Sequence, residues 1–354
     1  MSAPATFPLN AWYVAAWDRE VGRKLLARTI CDSDIVLYRK RDGRVAALAD
    51  ACWHRLLPLS LGTLVDDDVL CGYHGLRFDG DGRCTHMPSQ ETINPSACVR
   101  SYPVVEKQRF VWIWPGDPAL ADASLVPDLP WMDDSSWAGD GNMTEVAADY
   151  RLVIDNLMDL THETFVHGNS IGNAALAEAP FDAVHGDHTA TIRRWVLDKD
   201  PPPFWGAQLG QPGRVDRWQI IYFTAPSTIV LDVGVAPTGT GAPQGDRSKG
   251  VGMRVIHIPT PSTSKTSYYF WCHLRNYRVT EQRVTREVLQ AGSSIMLEDE
   301  AVIEAQQRAI DRLPGRNFYN MNIDAGAMWA RRLIDAMIDA ETPKHPVFPI
   351  AKIA

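Results

Sequence analysis

No apolar run in this chain of 354 residues approaches the roughly 20 residues that a membrane span requires, so no membrane location is expected. Met1 to Leu9 lack the basic start and apolar stretch of a secretory signal, and a cytoplasmic protein is the expectation. Positive charge is outnumbered, 35 Lys and Arg against 43 Asp and Glu. The net charge of −8 argues against nucleic acid as a general partner, while leaving an acidic or neutral small molecule open. GxGxxG and other dinucleotide fingerprints are missing, and there is no internal repeat. Cysteine is limited to six residues. In a reducing compartment these need not pair, so Cys52 and Cys71 are better read as ligands, and Cys31, Cys84, Cys98 and Cys272 as small apolar packing residues.

Cys52 and Cys71 belong to a pattern. Cys52, His54, Cys71 and His74 form CxHx16CxxH, in which each of two segments contributes one thiolate and one imidazole. A Rieske [2Fe–2S] cluster needs this donor set: two cysteines hold one iron, two histidines hold the other, and the imidazoles raise the potential above that of an all-cysteine cluster. A structural zinc is the alternative, although zinc sites more often join a cysteine pair to a histidine pair. Segments 51–57 and 71–76 sit beside turn-rich sequence, as expected for two loop tips at the ends of a small antiparallel sheet.

The length and the 45% hydrophobic content allow two domains. Short strands are expected at 35–39 and 44–48 around an Asp42–Gly43 turn, at 76–78, and at 109–114. Pro115, Gly116, Asp117 and Pro118 then punctuate the chain. These features predict an all-β domain over 1–116, a linker over 117–142 and a second domain over 143–354. In the second domain, helical sequence at 149–167 precedes strands at 188–197, 217–223, 228–235, 252–258 and 266–274, and helices follow at 280–313 and 327–340. An antiparallel sheet wrapped on a long C-terminal helix, an α+β helix-grip arrangement, is the predicted fold. The Gly- and Pro-rich stretch 238–249 reads either as a lid over a pocket or as a plain surface loop.

Within 149–167, His162 and His167 stand five residues apart and diverge by roughly 140° on an ideal helix. Both can meet one metal only if the helix bends or ends between them. Asn156, Asp159 and His162 fall on one stripe at three-residue steps. The plainer reading is an amphipathic helix with Asp155, Asp159 and Glu163 in water. An electron-carrying cluster needs an acceptor, however, and two histidines with one carboxylate form the facial triad of non-haem Fe(II) oxygenases. The carboxylate is sought on the long helix, where Val284, Val288, Ala291, Ile295, Val302 and Ala309 predict the inward stripe. Asp299 lies close to that stripe, Glu298 somewhat further round, and Glu300 points away.

At this point the chain resembles a known family, the Rieske non-haem iron aromatic ring oxygenases, whose pattern DxxHxxxxH plus a distant aspartate matches Asp159, His162, His167 and Asp299. The segments NAWYVAAW, LCGYHGL, DNLMDLTHETFVH, PPFW and EDEAVIEAQQR carry the resemblance, which extends to the vanillate O-demethylase type and covers nearly the whole chain. Trp53 stands where the family usually has proline after the first cysteine.

The resemblance implies a homotrimer in which the cluster of one subunit serves the mononuclear Fe(II) of its neighbour, through His74, Asp159 and His162. Asp159 is then a bridge whose carboxylate accepts from both imidazoles. It implies O2 and an aromatic methoxy acid as substrates, with O-demethylation releasing formaldehyde. Oxidation of another aryl methyl or alkyl group is the alternative, and a pure electron carrier is the reading from outside the enzymes. Electrons would come from NADH through a separate flavin and [2Fe–2S] reductase. Arg55, Arg77, Arg83, Lys107 and Arg109 are candidates to receive it, or are ordinary solvated charges. His257, Gln290 and Trp205 are candidate substrate contacts; His86, His185, His188 and His345 are expected at the surface, and His273 is undecided.

Overall fold

The computed structural model describes residues 6–88, 90–172 and 174–341, so the expectation for His345 lies outside the described residues. Turn residues set the rhythm of the N-terminal part. Strands β1 (Tyr13–Trp17), β2 (Leu26–Ile30), β3 (Ser33–Arg39) and β4 (Val45–Ala49) lead to the short strands β5 (Thr63–Val65), β6 (Asp68–Leu70), β7 (Arg77–Phe78) and β8 (Cys84–His86), then β9 (Val104–Lys107) and β10 (Phe110–Ile113). Gly43, at φ 88°, closes the β3–β4 hairpin, a backbone state that costs glycine little. Three antiparallel sheets result, in the orders β1-β10-β9, β2-β3-β4 and β5-β6-β7-β8.

The second part begins at β11 (Ala138–Val146), followed by α1 (Tyr150–Met158), α2 (Ala174–Glu178), β12 (Phe181–His185), β13 (Thr189–Lys199), α3 (Pro203–Leu209), β14 (Val215–Thr224), β15 (Thr228–Pro237), β16 (Val251–Thr263), β17 (Thr266–Arg275), α4 (Gln282–Arg312) and α5 (Ala325–Glu341). The seven strands pair antiparallel in the order β11-β17-β16-β15-β14-β13-β12. This is the expected sheet with its long C-terminal helix. β11 starts inside the stretch read as linker. Its sequence AGDGNMTEV has little strand character, and its glycines are there for closeness: a Cβ at Gly139 or Gly141 would run into the backbone oxygens of His273 or Trp271 on β17.

The central strands are apolar on both faces because both are covered. On one face Leu231, Val233, Met253 and Val255 pack with Leu157 of α1 and with Val284, Val288 and Met296 of α4. On the other, Val230, Ile256, Ile258, Phe270 and Cys272 meet Trp12, Trp17, Phe110, Trp112 and Trp114 from the N-terminal part. The two parts are further tied by Cys31 N–H to Pro261 O (2.9 Å) and Asp32 N–H to Ser262 O (2.9 Å).

Several expectations are corrected. The buried face of α4 runs through Val284, Val288, Gly292, Met296, Asp299, Ile303 and Gln307, whereas Val302 and Ala309 are exposed. A straight 3.6-residue helix drifts off a fixed stripe over eight turns. Of the two readings of 238–249, the surface segment is the one found: Arg247 ion-pairs with buried Asp232 (2.7 Å) and lies over Trp218, on the sheet face opposite Leu231 and Val233. Arg254 joins the same carboxylate. Cys31 and Cys272 are buried as expected, but Cys98 is exposed.

Candidate metal centres and substrate cavity

The two ligand loops of the N-terminal part are built alike. Cys52 N–H donates to Leu57 O (2.9 Å) and Leu56 N–H to Cys52 O (2.9 Å); likewise Cys71 N–H donates to Leu76 O (2.8 Å) and Gly75 N–H to Cys71 O (3.1 Å). Leu56 (φ 60°) and Gly75 (φ 74°) make the corresponding turn in each loop. Cys52 and Cys71 are buried, and burial pushes the Cys52 thiol up, with neighbouring Cys71 adding to the shift. His54 and His74 sit above them at the surface, ring centroids 4.5 Å apart. Two sulfurs inside and two imidazoles outside fit a cluster whose histidine-held iron is the one near solvent. Trp53 (41% exposed), Leu56 and Tyr73 form an apolar rim around the histidines.

The second centre depends on a helix that stops. α1 ends at Met158, and Asp159 (φ −133°, ψ 109°) starts a 3-10 turn over Leu160–Thr164. The cause is local. The Asp159 carboxylate accepts from Thr161 N–H (3.0 Å) and Thr161 Oγ1–H (2.6 Å), a cap that competes with helix continuation. The stripe expected through Asn156, Asp159 and His162 is therefore broken, and the same break lets His162 and His167 converge. His162 Nδ1 donates to the backbone carbonyl of Asp159 (2.7 Å), so the carboxylate, committed to the cap, is not its partner within the chain.

Asp299, 3% exposed, meets both histidines: its Oδ1 lies 3.5 Å from His162 Nε2 and 3.1 Å from His167 Nε2. One ligand atom from each of the three lies within 4.8 Å of the others. Asn156 Nδ2 donates to the same oxygen (3.2 Å). Glu298 accepts from His167 Nδ1 (2.5 Å), behind the ring rather than among the convergent atoms. Both imidazoles thus direct Nε2 inward, oriented by an acceptor on Nδ1. Burial works against protonation of His167, but the hydrogen bond and charge of Asp299, with Glu298, outweigh it and carry the imidazole up to about 9. Electrostatics that draw a proton here suit a divalent cation equally well.

Beside these residues is a cavity walled by Leu157, Trp205, Leu231, Val255, Val288 and Met296. His257 and His273 join its lining, as Trp205 and His257 were expected to do. Gln290 does not; it is exposed on α4. Glu163, which the plainer amphipathic-helix reading put in water, is buried in an ion pair with Arg217 (2.7 Å) and accepts from Gln219 Nε2 (2.8 Å). The sequence signal for that pair was weak, because nothing local links Glu163 to a strand arginine. Glu163→Gln leaves Arg217 buried without its counter-charge; a loss of about 3–5 kcal/mol is expected, read as a lowered melting temperature that Arg217→Met in the same chain partly restores. Of the candidate reductase contacts, Arg109 is committed to Met132 O (2.6 Å) and Lys107 to Asp128 (3.2 Å), whereas Arg55 and Arg83 are exposed.

Comparison with known proteins agrees with this geometry. Residues 11–103 match the Rieske [2Fe-2S] domain, and residues 146–340 match the vanillate O-demethylase oxygenase C-terminal domain. The chain is 42% identical to a vanillate O-demethylase oxygenase subunit of Pseudomonas sp. strain HR199, over 98% of this chain and 99% of that one. It is 39% identical to the iron-sulfur subunit of a toluene-4-sulfonate monooxygenase system from Comamonas testosteroni, over 95% and 98%. A crystal structure of dicamba monooxygenase bound to 3,6-dichlorosalicylic acid superposes with a TM-score of 0.90 at 36% identity, covering 95% of this chain and 99% of that one. Donor sets, fold and near full-length similarity coincide, and the chain belongs to the vanillate O-demethylase family of Rieske non-haem iron oxygenases.

Proposed function

We propose that this chain is the oxygenase component of a cytoplasmic monooxygenase that hydroxylates the methyl group of an aromatic methoxy acid, the unstable product collapsing to a phenol and formaldehyde. The observation that carries the reading is the convergence of His162, His167 and Asp299 within 4.8 Å at one side of a largely apolar cavity. Cys52, His54, Cys71 and His74 would hold the [2Fe–2S] cluster, and His162, His167 and Asp299 the mononuclear iron. Held by three protein side chains, such an iron would supply reductive activation of O2, with electrons from the cluster.

The chain's own residues do the positioning. Asn156 holds Asp299 Oδ1, Glu298 and the Asp159 carbonyl fix the two imidazoles, and Leu157, Leu231, Val255 and Met296 exclude water from the aromatic ring. Electrons are proposed to come from NADH through a separate flavin and [2Fe–2S] reductase, and to pass from His74 of one subunit by Asp159 to His162 of the next in a homotrimer. The apolar rim of Trp53, Leu56 and Tyr73 suits burial against such a neighbour. Similarity to the toluene-4-sulfonate system at 39% identity keeps a second reading, oxidation of an aryl methyl carbon.

Purified enzyme with a surrogate reductase decides between these. Formaldehyde equal to substrate consumed is expected for O-demethylation, with near three irons per chain. An alcohol without formaldehyde supports the second reading, and near two irons with no O2 uptake leaves only an electron carrier.

A further inference from the structure

The turn that carries His162 is held by the sheet on both sides of that residue. Gln219 and Arg217 of β14 reach Glu163, and Arg217 also donates to Ile171 O (2.9 Å). Arg194 of β13, the cross-strand partner of Gln219, reaches Thr161 instead. It is 5% exposed, its guanidinium lies over the Phe181 ring, and its Nε has no hydrogen-bond partner among the described residues. Burial pushes this guanidinium down, against the pull of Asp159 and Glu163. A cation placed at such a cost in desolvation has to be compensated by the groups it faces.

The hydrogen bonds at Thr161 decide what it does there. Arg194 donates from Nη1 and from Nη2 to Thr161 Oγ1, 3.2 Å in each case. A hydroxyl has two lone pairs and one hydrogen. With both lone pairs taken, the hydrogen is left for the Asp159 carboxylate, whose Oδ1 is 2.6 Å away. Thr161 N–H donates to the same oxygen (3.0 Å), and Arg194 Nη2 lies 3.6 Å from it. Among the described residues no donor reaches Asp159 Oδ2, and this side chain is 15% exposed. Rotation of a carboxylate about its last torsion is otherwise loosely restrained. Here two donors and a cation fix Oδ1, which leaves Oδ2 open to a donor from outside the chain.

We propose that Arg194 is a positioning residue for electron entry: by directing the Thr161 hydroxyl onto Asp159 Oδ1, it presents Oδ2 to the cluster histidine of the neighbouring subunit. The proposal rests on the reading of Asp159 as the bridge between subunits. One electron leaves the reduced cluster and is taken up at the mononuclear iron site for the reduction of O2, and Arg194, Thr161 and Asp159 neither gain nor lose a proton. The bridge is set before the partner arrives, so little rearrangement accompanies transfer.

The test compares Thr161→Val, Arg194→Met, the double variant and Thr161→Ser, all loaded with cluster and iron. Reduced enzyme is mixed with O2 and 4-hydroxy-3-methoxybenzoate, and cluster reoxidation is followed by absorbance. Each single variant should slow reoxidation by about tenfold or more, with iron content unchanged and the probe's dissociation constant within about twofold of wild type. The double variant should be no slower than either single one, because the two side chains act as a unit, and Thr161→Ser, which keeps the hydroxyl, should approach the wild-type rate. Without O2 or probe, amide exchange at Thr161 should quicken about fivefold or more in Arg194→Met, the loss of one hydrogen bond, while residues 165–172 are unchanged. If Arg194→Met alone binds less iron, the double variant, which leaves no buried donor facing a missing acceptor, takes its place. Unchanged reoxidation in Thr161→Val, or additive slowing in the double variant, overturns the proposal. If Asp159→Asn slows reoxidation and Thr161→Val does not, the bridge stands without Arg194; if neither slows it, or the wild type is never reoxidised, the reading beneath fails as well.

Discussion

Asp299→Ala should give a protein that keeps its brown colour and consumes no oxygen. Asp299 is the sole carboxylate among the three convergent ligand atoms, and one of its oxygens also receives Asn156. Glu298 cannot take its place, because its carboxylate sits at His167 Nδ1, the side of the ring away from the convergent atoms. Two neutral imidazoles alone lack the third donor and the negative charge of the facial triad. Loss of a metal that contributes several kcal/mol to the reaction corresponds to a fall in turnover of about a thousandfold or more. Metal analysis should drop from near three irons per chain to near two, with cluster absorbance unchanged, since Cys52, His54, Cys71 and His74 lie in the other part of the molecule. A variant that kept the third iron and its turnover would transfer the ligand role to Glu298.

Asp159→Asn should separate electron delivery from metal content. The amide oxygen can still accept from Thr161 N–H, so the 3-10 turn and the carbonyl that orients His162 are retained. What disappears is a negative charge. Inside the chain that charge faces buried Arg194, 3.6 Å away; outside it, the proposal gives the carboxylate to His74 of the neighbouring subunit. Loss of an orienting carboxylate of this kind costs about 10- to 100-fold in activity, with iron and cluster still at wild-type levels. Stopped-flow mixing of reduced enzyme with O2 and substrate is the measurement, and cluster reoxidation should slow by that factor. Reoxidation at the wild-type rate would take Asp159 off the route. The buried Arg194, stripped of its counter-charge, should also lower the melting temperature, which separates a folding defect from a transfer defect when Arg194→Met is added.

Much of the site is written in residue types and spacing. CxHx16CxxH names a donor set and divides it between two loops, because ligand chemistry depends on which atoms are offered before it depends on where they sit. His162, His167 and a carboxylate on the long helix were legible for the same reason, as were most strands of the large sheet and α4. Strand β11 was not, since its glycines serve close approach to β17 and carry no strand propensity. The buried Glu163–Arg217 pair was missed because its members are 54 positions apart, and a charged residue is expected in water unless its partner is known.

By itself, the sequence determined that the chain has ligands for a two-iron cluster and for a second metal, and that a small β domain precedes a sheet with a long terminal helix. Only the tertiary structure decided that α1 stops at Met158 so the histidines converge, that Asp299 rather than Glu298 meets them, and that Arg194 reaches Thr161. Periodicity specifies one helix face at a time. The distance between His167 and Asp299, 132 positions apart, is set by how α4 packs against the sheet, and no local pattern contains that.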